Sequence, residues 1–304
     1  MLSIIICVHN GMQYLNKMFY CLNKISDYNI KFIIIDDKSS DESNKIIHYY
    51  KNKIQNIFVY ENSEKLGLGI SRNIGVSLAN TKYITFMDCD DYVYKSGLKE
   101  SLSSIVKQNA DICLSPIVKK LKNNSIQIYN IDNKPLTNEN SFKMYIKREF
   151  TTWSAASKIY KTKLIKENNI KFKESVLYED VVFGMNAHIS ATKTIITNNP
   201  YYVYIQNDNS ITRRTNYSLL HVYSSLILHN DIVNFFRTNE YAKNMPHEML
   251  AALNILEKEH YPRVKQGYLE CGIAHNETYK SQYFDLLKGN HTNFSAKCLQ
   301  LALI

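Results

Sequence analysis

Apolar stretches of strand length alternate with amphipathic helical patterns along the first 120 residues. The runs LSIIICV (2–8) and KFIIIDD (31–37) are continuously apolar up to the closing aspartates, which is typical of strands covered on both faces. Apolar positions three and four apart predict a helix after each run. The predicted strands cover 2–8, 31–37, 56–62 and 82–87, and the predicted helices cover 12–25, 39–50, 70–78 and 96–108. This alternation predicts an α/β fold with a mostly parallel central sheet.

Two loops carry helix-capping patterns. Asn10 is expected to cap the first helix. Ser39, with Glu42 three residues later, has the spacing of a capping box for the second helix.

The pattern becomes less regular after residue 120. DICLSPIV and SIQIYNI are predicted to be strands of a mixed edge, and YYVYI (201–205) is an aromatic strand. From about Tyr217 onward the apolar spacing is helical.

Composition narrows the class of protein without deciding it. The chain of 304 residues has a net charge of +9 and a pI near 9.0, which favours an acidic partner such as a nucleotide, a nucleic acid or an anionic membrane. Frequent Lys, Asn, Ile and Tyr also fit an AT-rich genome, so the charge carries limited weight. No apolar run reaches 18 residues, no signal-peptide pattern opens the chain, and six scattered cysteines form no zinc motif. We expect a cytoplasmic chain with reduced thiols.

Acidic residues follow two of the predicted strands: Asp36 and Asp37 after the second, and Asp88, Asp90 and Asp91 after the fourth. Two carboxylates at about 4 Å repel by roughly 4 kcal/mol at an effective dielectric near 20, so a dry cluster needs a positive partner. Ligands of open parallel sheets bind at the carboxyl ends of the strands. An Asp-x-Asp there suits Mg²⁺ or Mn²⁺ completed by water and substrate phosphates. A solvated turn that caps the next helix is the alternative.

The order of the motifs gives a family resemblance. SIIICVHNGMQYL, FIIIDDKSSDES and NSEKLGLGISRNIGVSLANTKYITFMDCDD resemble, in order and spacing, the family 2 glycosyltransferases of the GT-A fold. YEDVVF (178–183) is similar to the Glu-Asp motif that carries the base in that family. The resemblance covers roughly residues 1–215. Cys7, His9 and Ser71 depart from the common residues of the pattern.

The resemblance implies a donor site and a metal. Cys7 to Asn10 would wrap the base and ribose, and Asp37 would accept a hydrogen bond from a pyrimidine base. Asp88 would contact ribose, Asp90 would ligate Mn²⁺ or Mg²⁺ with Asp88 beside it, and Asp91 would lie behind them. The implied donor-binding residues are Cys7, Val8, His9, Asn10, Asp37, Arg72, Asp88, Arg213 and Arg214. Helix capping for the aspartates and solvent exposure for the arginines are the alternatives.

On the acceptor side the resemblance implies Asp180 as general base, with Glu179 orienting the acceptor. Capping of the following helix is the alternative for this pair. Trp153, the only tryptophan, could stack on a sugar, although core packing explains a lone Trp equally well.

The implied function is that of an inverting, metal-dependent hexosyl- or N-acetylhexosaminyltransferase. Its donor would be a nucleotide sugar, expected to be UDP-linked, and its acceptor a hydroxyl of a saccharide or lipid-linked saccharide in bacterial surface polysaccharide assembly, capsule or lipooligosaccharide. A non-catalytic scaffold or sugar-binding subunit of the same fold is one alternative, and a sugar-phosphate nucleotidyltransferase is another. The latter lacks support because CVHNGMQ has a single glycine and no arginine. Receiver domains place their aspartates elsewhere, and nucleic-acid binding leaves the carboxylates unexplained.

The expected domains are a GT-A domain at 1–216, divided into a nucleotide-binding half (1–120) and an acceptor half (121–216), and a C-terminal helical region at 217–304. The helical region is expected to be a basic appendage, rich in Lys, Arg, His, Leu and Tyr. We expect it to dock peripherally on the inner face of the plasma membrane, with a homodimer interface as the rival interpretation.

Overall fold

Strands and helices alternate through the first half of the chain, and helices dominate its last third. The computed structural model describes residues 1–26, 29–121, 125–129, 136–148, 153–207, 217–289 and 292–301. The strands of this part are β1 Leu2–Val8, β2 Ile30–Asp36, β3 Ile57–Glu61, β4 Tyr83–Asp88, β5 Tyr92–Val93, β6 Ile112–Leu114, β7 Ile117–Lys120, β8 Ile126–Tyr129, β9 Lys158–Lys161, β10 Thr194–Ile196 and β11 Tyr202–Ile205. Its α-helices are α1 Met12–Ile25, α2 Ser43–Lys51, α3 Leu68–Leu78, α4 Lys95–Gln108, α5 Asn138–Lys147, α6 Thr162–Glu167, α7 Asp180–Ser190, α8 Leu219–Thr238, α9 Pro246–Glu270, α10 Glu277–Leu287 and α11 Asn293–Leu301.

The main sheet has the strand order β10-β6-β9-β4-β1-β2-β3. Strand β1 pairs in parallel with both β2 and β4, in a register that sets Val8 opposite Asp36 and Cys7 opposite Asp88. Strand β9 is antiparallel to both β4 and β6. The predicted α/β fold with a mostly parallel sheet is therefore confirmed, and the short β9 is an insertion that the sequence pattern did not predict.

The apolar runs form strands because helices cover both faces of the sheet. Ile4 and Ile6 of β1 and Phe32 and Ile34 of β2 are fully buried. On α3, a Cβ at Gly75 would lie 2.3 Å from Cγ2 of Ile5, so only glycine permits this close approach of helix to strand. The central strands thereby hold their carboxyl ends in a fixed row.

A smaller sheet has the order β5-β11-β7-β8. Strand β11 is antiparallel to β5 and parallel to β7. Since β5 follows the acidic segment 88–91 directly, this sheet places the end of β11 beside that segment.

The predicted cap of the first helix is wrong. Gly11 occupies the N-cap position of α1, and Asn10 has a left-handed backbone with a φ of 51°. The side chain of Asn10 instead accepts hydrogen bonds from the backbone N–H (2.8 Å) and the hydroxyl (3.2 Å) of Ser40. A residue predicted to cap a helix therefore joins two loops.

The predicted capping box of the second helix is also wrong. Helix α2 begins at Ser43 with Glu42 at the N-cap, and no side chain caps it. The hydroxyl of Ser39 accepts from the backbone N–H of Asn10 at 3.0 Å, and the hydroxyl of Ser43 accepts from that of Gly11 at 2.9 Å. The loops that follow β1 and β2 are thus fastened to each other.

The chain divides into two compact units. The first comprises Met1–Ser175 and Phe183–Asn207, and the second comprises Val176–Val182 together with the described residues after Asn207. The division falls within α7. A short sequence from the middle of the chain therefore belongs to the C-terminal helical unit.

In the second unit α8 and α9 pack closely. A Cβ at Gly267 of α9 would lie 2.6 Å from Cγ2 of Val222 on α8. Val222, Leu226, Ile232 and Leu256 are fully buried between these helices and their neighbours. Across the described residues, no helix combines the length and the hydropathy needed to cross a membrane.

Candidate active site

The loops after β1 and β2 form one corner of the candidate site. The backbone N–H of Asp37 donates to the carbonyl of Val8 at 2.8 Å, and Nδ1 of His9 donates to the carbonyl of Asp37 at 2.8 Å. Cys7 is partly buried at the end of β1, opposite Asp88 of β4. The segment 7–10 and Asp37, which were predicted to bind the donor together, are therefore brought into direct contact.

The Asp37 carboxylate is buried and organises the loop before α3. Its Oδ1 accepts from Asn62 Nδ2 at 2.7 Å and from the backbone N–H of Leu66 at 2.8 Å, and its Oδ2 accepts from the backbone N–H of Gly67 at 2.8 Å. Burial alone would raise the pKa of Asp37, but these hydrogen bonds lower it below its ordinary value. A carboxylate has about four acceptor positions, so within the described residues one remains on Oδ2 for a ligand.

Asp36 has a local structural role. Its Oδ1 accepts from the backbone N–H of Ser39 at 3.0 Å, and its Oδ2 accepts from Asn44 Nδ2 at 3.1 Å. Asp36 therefore shapes the loop before α2, while Asp37 faces the loop before α3.

Arg72 supplies a positive charge beside the acidic segment after β4. It is buried on α3, and its Nη2 donates to Oδ1 of Asp88 at 2.9 Å. Its guanidinium carbon also lies 5.3 Å from the ring centroid of Phe172. The Asp88 side chain is 42% exposed, so it faces both Arg72 and solvent.

Asp90 and Asp91 have different surroundings. Oδ2 of Asp90 accepts from Asn207 Nδ2 at 2.8 Å, whereas Asp91 is almost completely buried and accepts from the Tyr202 hydroxyl at 2.6 Å and from the backbone N–H of Ile205 at 2.8 Å. Burial, reinforced by the charge of Asp88, raises the pKa of Asp90. Burial and the charges of Asp88 and Asp90 raise the pKa of Asp91 well above its usual range. Asp91 therefore fastens β11 to the acidic segment and is turned away from solvent.

The residues of this segment fit a divalent metal only together with a substrate. Within the described ranges, no group of three His, Cys, Asp or Glu side chains is arranged to hold a metal ion. Asp88 gives one carboxylate oxygen to Arg72 and Asp90 gives one to Asn207, and among the described residues the other oxygen of each is left for a ligand. Mg²⁺ and Mn²⁺ accept this kind of site, with one or two carboxylates and the remaining positions filled by water and phosphate. Burial and, after it, repulsion by Asp88 raise the pKa of Asp90, and a cation would offset the repulsion.

Glu179 and Asp180 lie at the start of α7, in the part of the chain that belongs to the second unit. Glu179 is buried and Asp180 is half-buried. The backbone N–H of Val181 donates to the carbonyl of Tyr178 at 3.4 Å, which closes the first turn of the helix. A carboxylate in the first turn also interacts favourably with the helix dipole, which agrees with the capping interpretation. The role of Asp180 as general base stays a prediction.

Trp153 is only 6% exposed. Its Nε1 donates to the carbonyl of Tyr145 at 3.1 Å, and the guanidinium carbon of Arg148 lies 5.2 Å from its ring centroid. This environment favours core packing over sugar stacking. Arg213 and Arg214, predicted to close over the diphosphate, lie outside the described residues.

The sequence matches the profile of a known family. Residues 3–168 match the family described as "Glycosyl transferase family 2". The chain belongs to glycosyl transferase family 2. This range includes Asp37, Arg72, Asp88 and Asp90, and it ends before Asp180.

Relatives and solved structures agree with the family. The chain is 29% identical over 232 residues to a cholesterol galactosyltransferase of Borreliella burgdorferi, and the alignment covers 72% of this chain and 63% of the relative. It is 30% identical over 217 residues to a poly(ribitol-phosphate) beta-glucosyltransferase of Bacillus spizizenii, and that alignment covers 68% of this chain and 32% of the relative. The chain therefore spans less than two thirds of the first of these relatives and about one third of the second.

A solved structure also has this fold. The crystal structure of S. aureus TarS 1–349 in complex with UDP-GlcNAc superposes with a TM-score of 0.66 at 21% identity, covering 99% of this chain and 89% of that one. The GT-A fold expected from the motifs is confirmed.

Several residues of the candidate site were not predicted from the sequence. They are Asn62, Leu66 and Gly67 around Asp37, Phe172 under Arg72, and Asn207 and Tyr202 beside the acidic segment. Leu66 and Gly67 act through backbone N–H groups, which leave no side-chain signal. Gly67 alone had a signal in the sequence, because it lies inside the Gly-rich stretch on which the family resemblance rests. Its φ of 90° explains why glycine is needed there.

Proposed function

We propose that the chain transfers a hexosyl or N-acetylhexosaminyl group from a UDP-sugar to a hydroxyl of a saccharide acceptor, with inversion at the anomeric carbon. The observation that carries this proposal is the row of carboxylates at the ends of β2 and β4, which flank the end of β1 in the sheet. Asp37, Asp88 and Asp90 lie there with the buried Arg72 paired to Asp88.

The donor would lie along this row. The acceptor position left on Oδ2 of Asp37 suits the imide N–H of a pyrimidine base, with segment 7–10 forming the adjacent wall. Asp88 would contact the ribose, with Arg72 fixing the orientation of its carboxylate. Asp88 and Asp90 would hold Mn²⁺ or Mg²⁺, which would offset the charge on the diphosphate as it leaves.

The chemical step is a single displacement. The acceptor hydroxyl forms a bond from its oxygen to the anomeric carbon and gives its proton to the Asp180 carboxylate. The bond from that carbon to the diphosphate oxygen breaks, and the nucleoside diphosphate leaves with the electron pair from the opposite face. Inversion follows from this geometry.

The sugar class is supported by the names of the related proteins. Those names specify a galactosyl and a glucosyl group, and the superposed TarS structure contains UDP-GlcNAc. Surface polysaccharide assembly, with a saccharide or lipid-linked saccharide acceptor, is the pathway that we propose for this chain. The cysteines are all free thiols, which supports a reducing, cytoplasmic location.

The expected basic character of the C-terminal helical region is corrected by counting its acids. Residues 217–304 contain eight Lys and Arg and eight Asp and Glu, so the region is formally neutral and the excess of +9 lies in residues 1–216. Net charge therefore gives no support to docking of this region on an anionic leaflet.

A donor panel tests the proposal. The protein is incubated with Mn²⁺ and UDP-, GDP- and ADP-linked sugars, and release of nucleoside diphosphate is measured. We expect release from a UDP-hexose or a UDP-N-acetylhexosamine and none with EDTA. Tight UDP binding without release from any donor or acceptor would favour a non-catalytic subunit, and pyrophosphate release from UTP and a sugar 1-phosphate would favour a nucleotidyltransferase.

A further inference from the structure

The segment that carries the proposed base is fastened to the C-terminal helices. The backbone N–H of Leu177 donates to Oγ of Ser224 on α8 at 2.9 Å. Nη1 of Arg263 on α9 donates to the hydroxyl of Tyr178 at 3.1 Å, and its guanidinium carbon lies 5.4 Å from the centroid of the same ring. These contacts all lie within the second unit. They hold the two residues that precede Glu179.

Tyr178 itself has an uncommon backbone. Its φ is 63°, in the left-handed region that costs a non-glycine residue about 1 kcal/mol or more. This turn comes directly before Glu179 and Asp180, and the Tyr178 carbonyl accepts the first hydrogen bond of α7. The direction in which the Asp180 side chain leaves the helix therefore depends on the backbone at Tyr178 staying in this conformation.

Contacts from α9 hold the Tyr178 ring in place. The ring meets His260 edge-on with centroids 4.5 Å apart. Nδ1 of His260 lies 3.0 Å from Oγ of Ser225, whose hydroxyl donates to the carbonyl of His221 at 2.8 Å. The ring thus lies against a side chain that a hydrogen-bond network keeps in one orientation.

Arg263 is bound into this arrangement. It lies one turn after His260 on α9, and Pro262, which has no N–H to donate, lies in the same turn. An arginine that only kept the surface soluble would need no contact with another side chain. Arg263 instead gives both a hydrogen bond and a cation–π contact to one half-buried aromatic side chain, that of Tyr178.

We propose that Arg263 is a positioning residue that sets the geometry of Asp180 through Tyr178. This inference rests on the proposed function, in which Asp180 takes the acceptor proton. It assigns the C-terminal helical unit a part in the reaction, because the base is then aligned by α9. A small misplacement of a base costs up to about 100-fold in rate, so loss of Arg263 is expected to lower transfer without changing donor binding.

The experiment uses the full chain with a UDP-sugar and an acceptor. Arg263→Gln removes the charge, and Tyr178→Phe removes only the hydroxyl that Arg263 contacts. The matched control is Arg237→Gln, an exposed arginine on α8. We expect kcat for transfer to fall about 10- to 100-fold in Arg263→Gln and less in Tyr178→Phe, with the Kd for UDP within about twofold of wild type and the control unchanged. Arg263→Lys, which can still donate, should recover part of the rate.

Coupling to Asp180 separates positioning from simple stabilisation. If Arg263 acts through Asp180, the double variant Arg263→Gln/Asp180→Asn transfers no more slowly than Asp180→Asn alone. Multiplicative losses, or wild-type kcat in Arg263→Gln with only a lowered Tm, would overturn the inference. If Asp180→Asn loses transfer while both Arg263→Gln and Tyr178→Phe retain it, the positioning role fails and the proposed function stands. If Asp180→Asn itself transfers at the wild-type rate, the base assignment fails and the inference fails with it.

Discussion

Nη2 of Arg72 lies 2.9 Å from Oδ1 of Asp88, and the arginine is buried while the aspartate is partly exposed. The aspartates at positions 88, 90 and 91 need a positive partner, and the Arg72 guanidinium is one such partner. Burial and the charge of Asp88 still raise the pKa of Asp90. A second cation beside Asp90 is therefore favoured.

Replacing Arg72 tests the pairing. Arg72→Gln should lower the free energy of unfolding by about 1–2 kcal/mol, because it loses a charged hydrogen bond and the contact with Phe172, while Asp88 can turn to water. Urea unfolding measures the change. Lys45→Gln removes an exposed pair with Glu42 and should cost about 0.5 kcal/mol or less. Equal losses in the two variants would show that Arg72 is not held by Asp88.

Tyr202 is expected to stabilise the acidic segment from behind. Tyr202→Phe removes one of the two hydrogen-bond donors that the described residues give to the buried Asp91 carboxylate, so the free energy of unfolding should fall by about 1–3 kcal/mol. The hydroxyl lowers the pKa of Asp91 against a larger rise from burial, so its removal raises that pKa further.

The sign of the pH dependence follows. In both proteins the folded state keeps this proton to a higher pH than the unfolded state, so stability falls as the pH rises, and the higher folded pKa of the variant extends that fall to a higher pH. Urea unfolding at several pH values locates the end of the fall, with Tyr241→Phe at an exposed tyrosine as control. A fall that ends at the same pH as in wild type would contradict the assigned contact.

The sequence predicted those parts of the molecule that depend on local pattern. The apolar runs predicted β1, β2 and β4. Because these strands are parallel neighbours, the sequence also predicted that Asp37 and Asp88 lie at the same edge of the sheet. Strand β9 was not predicted, because four residues inside an irregular stretch are too few to show a hydrophobic periodicity. It also pairs with β4 and β6, which lie far from it in the sequence.

The remaining parts of the site depend on contacts between distant residues. Asn10 and Ser39 had the composition of helix caps, but their side chains join two loops instead. The fastening of Leu177 to Ser224 joins segments separated by 47 residues, and no local pattern could have predicted it.

The proposed base gives a separable prediction. Asp180→Asn should retain UDP binding and lower transfer by about 100-fold or more, since amide oxygen is a poor proton acceptor. Initial rates with a UDP-sugar and an acceptor, together with UDP titration, measure the two effects. Near wild-type transfer would mean that Asp180 serves only the N-terminus of α7.

His188 predicts how stability responds to acid. It is fully buried with Nδ1 2.7 Å from the Ser141 hydroxyl, and burial, together with the nearby charge of Lys158, holds its pKa well below the ordinary value. As the pH falls below about 6.5, the unfolded chain takes up a proton on this residue that the folded chain does not, so the free energy of unfolding falls.

The measurement is urea unfolding between about pH 7 and pH 5. His188→Asn should flatten the slope in this range, whatever its effect on absolute stability. His247→Gln, at an exposed histidine, is the control and should leave the slope as in wild type. A slope that is the same in all three proteins would contradict the prediction.

Calorimetric titration of UDP into wild type and Asp90→Asn, with Mn²⁺ and with EDTA, tests the central claim most directly. That claim is that the acidic segment after β4 holds the donor diphosphate through a divalent cation. Asp285→Asn, at an exposed aspartate paired with Lys288, is the control. We predict that wild type and control bind UDP more tightly in Mn²⁺ than in EDTA, and that Asp90→Asn binds equally weakly in both. Equal affinity of Asp90→Asn and wild type in Mn²⁺ would contradict the claim.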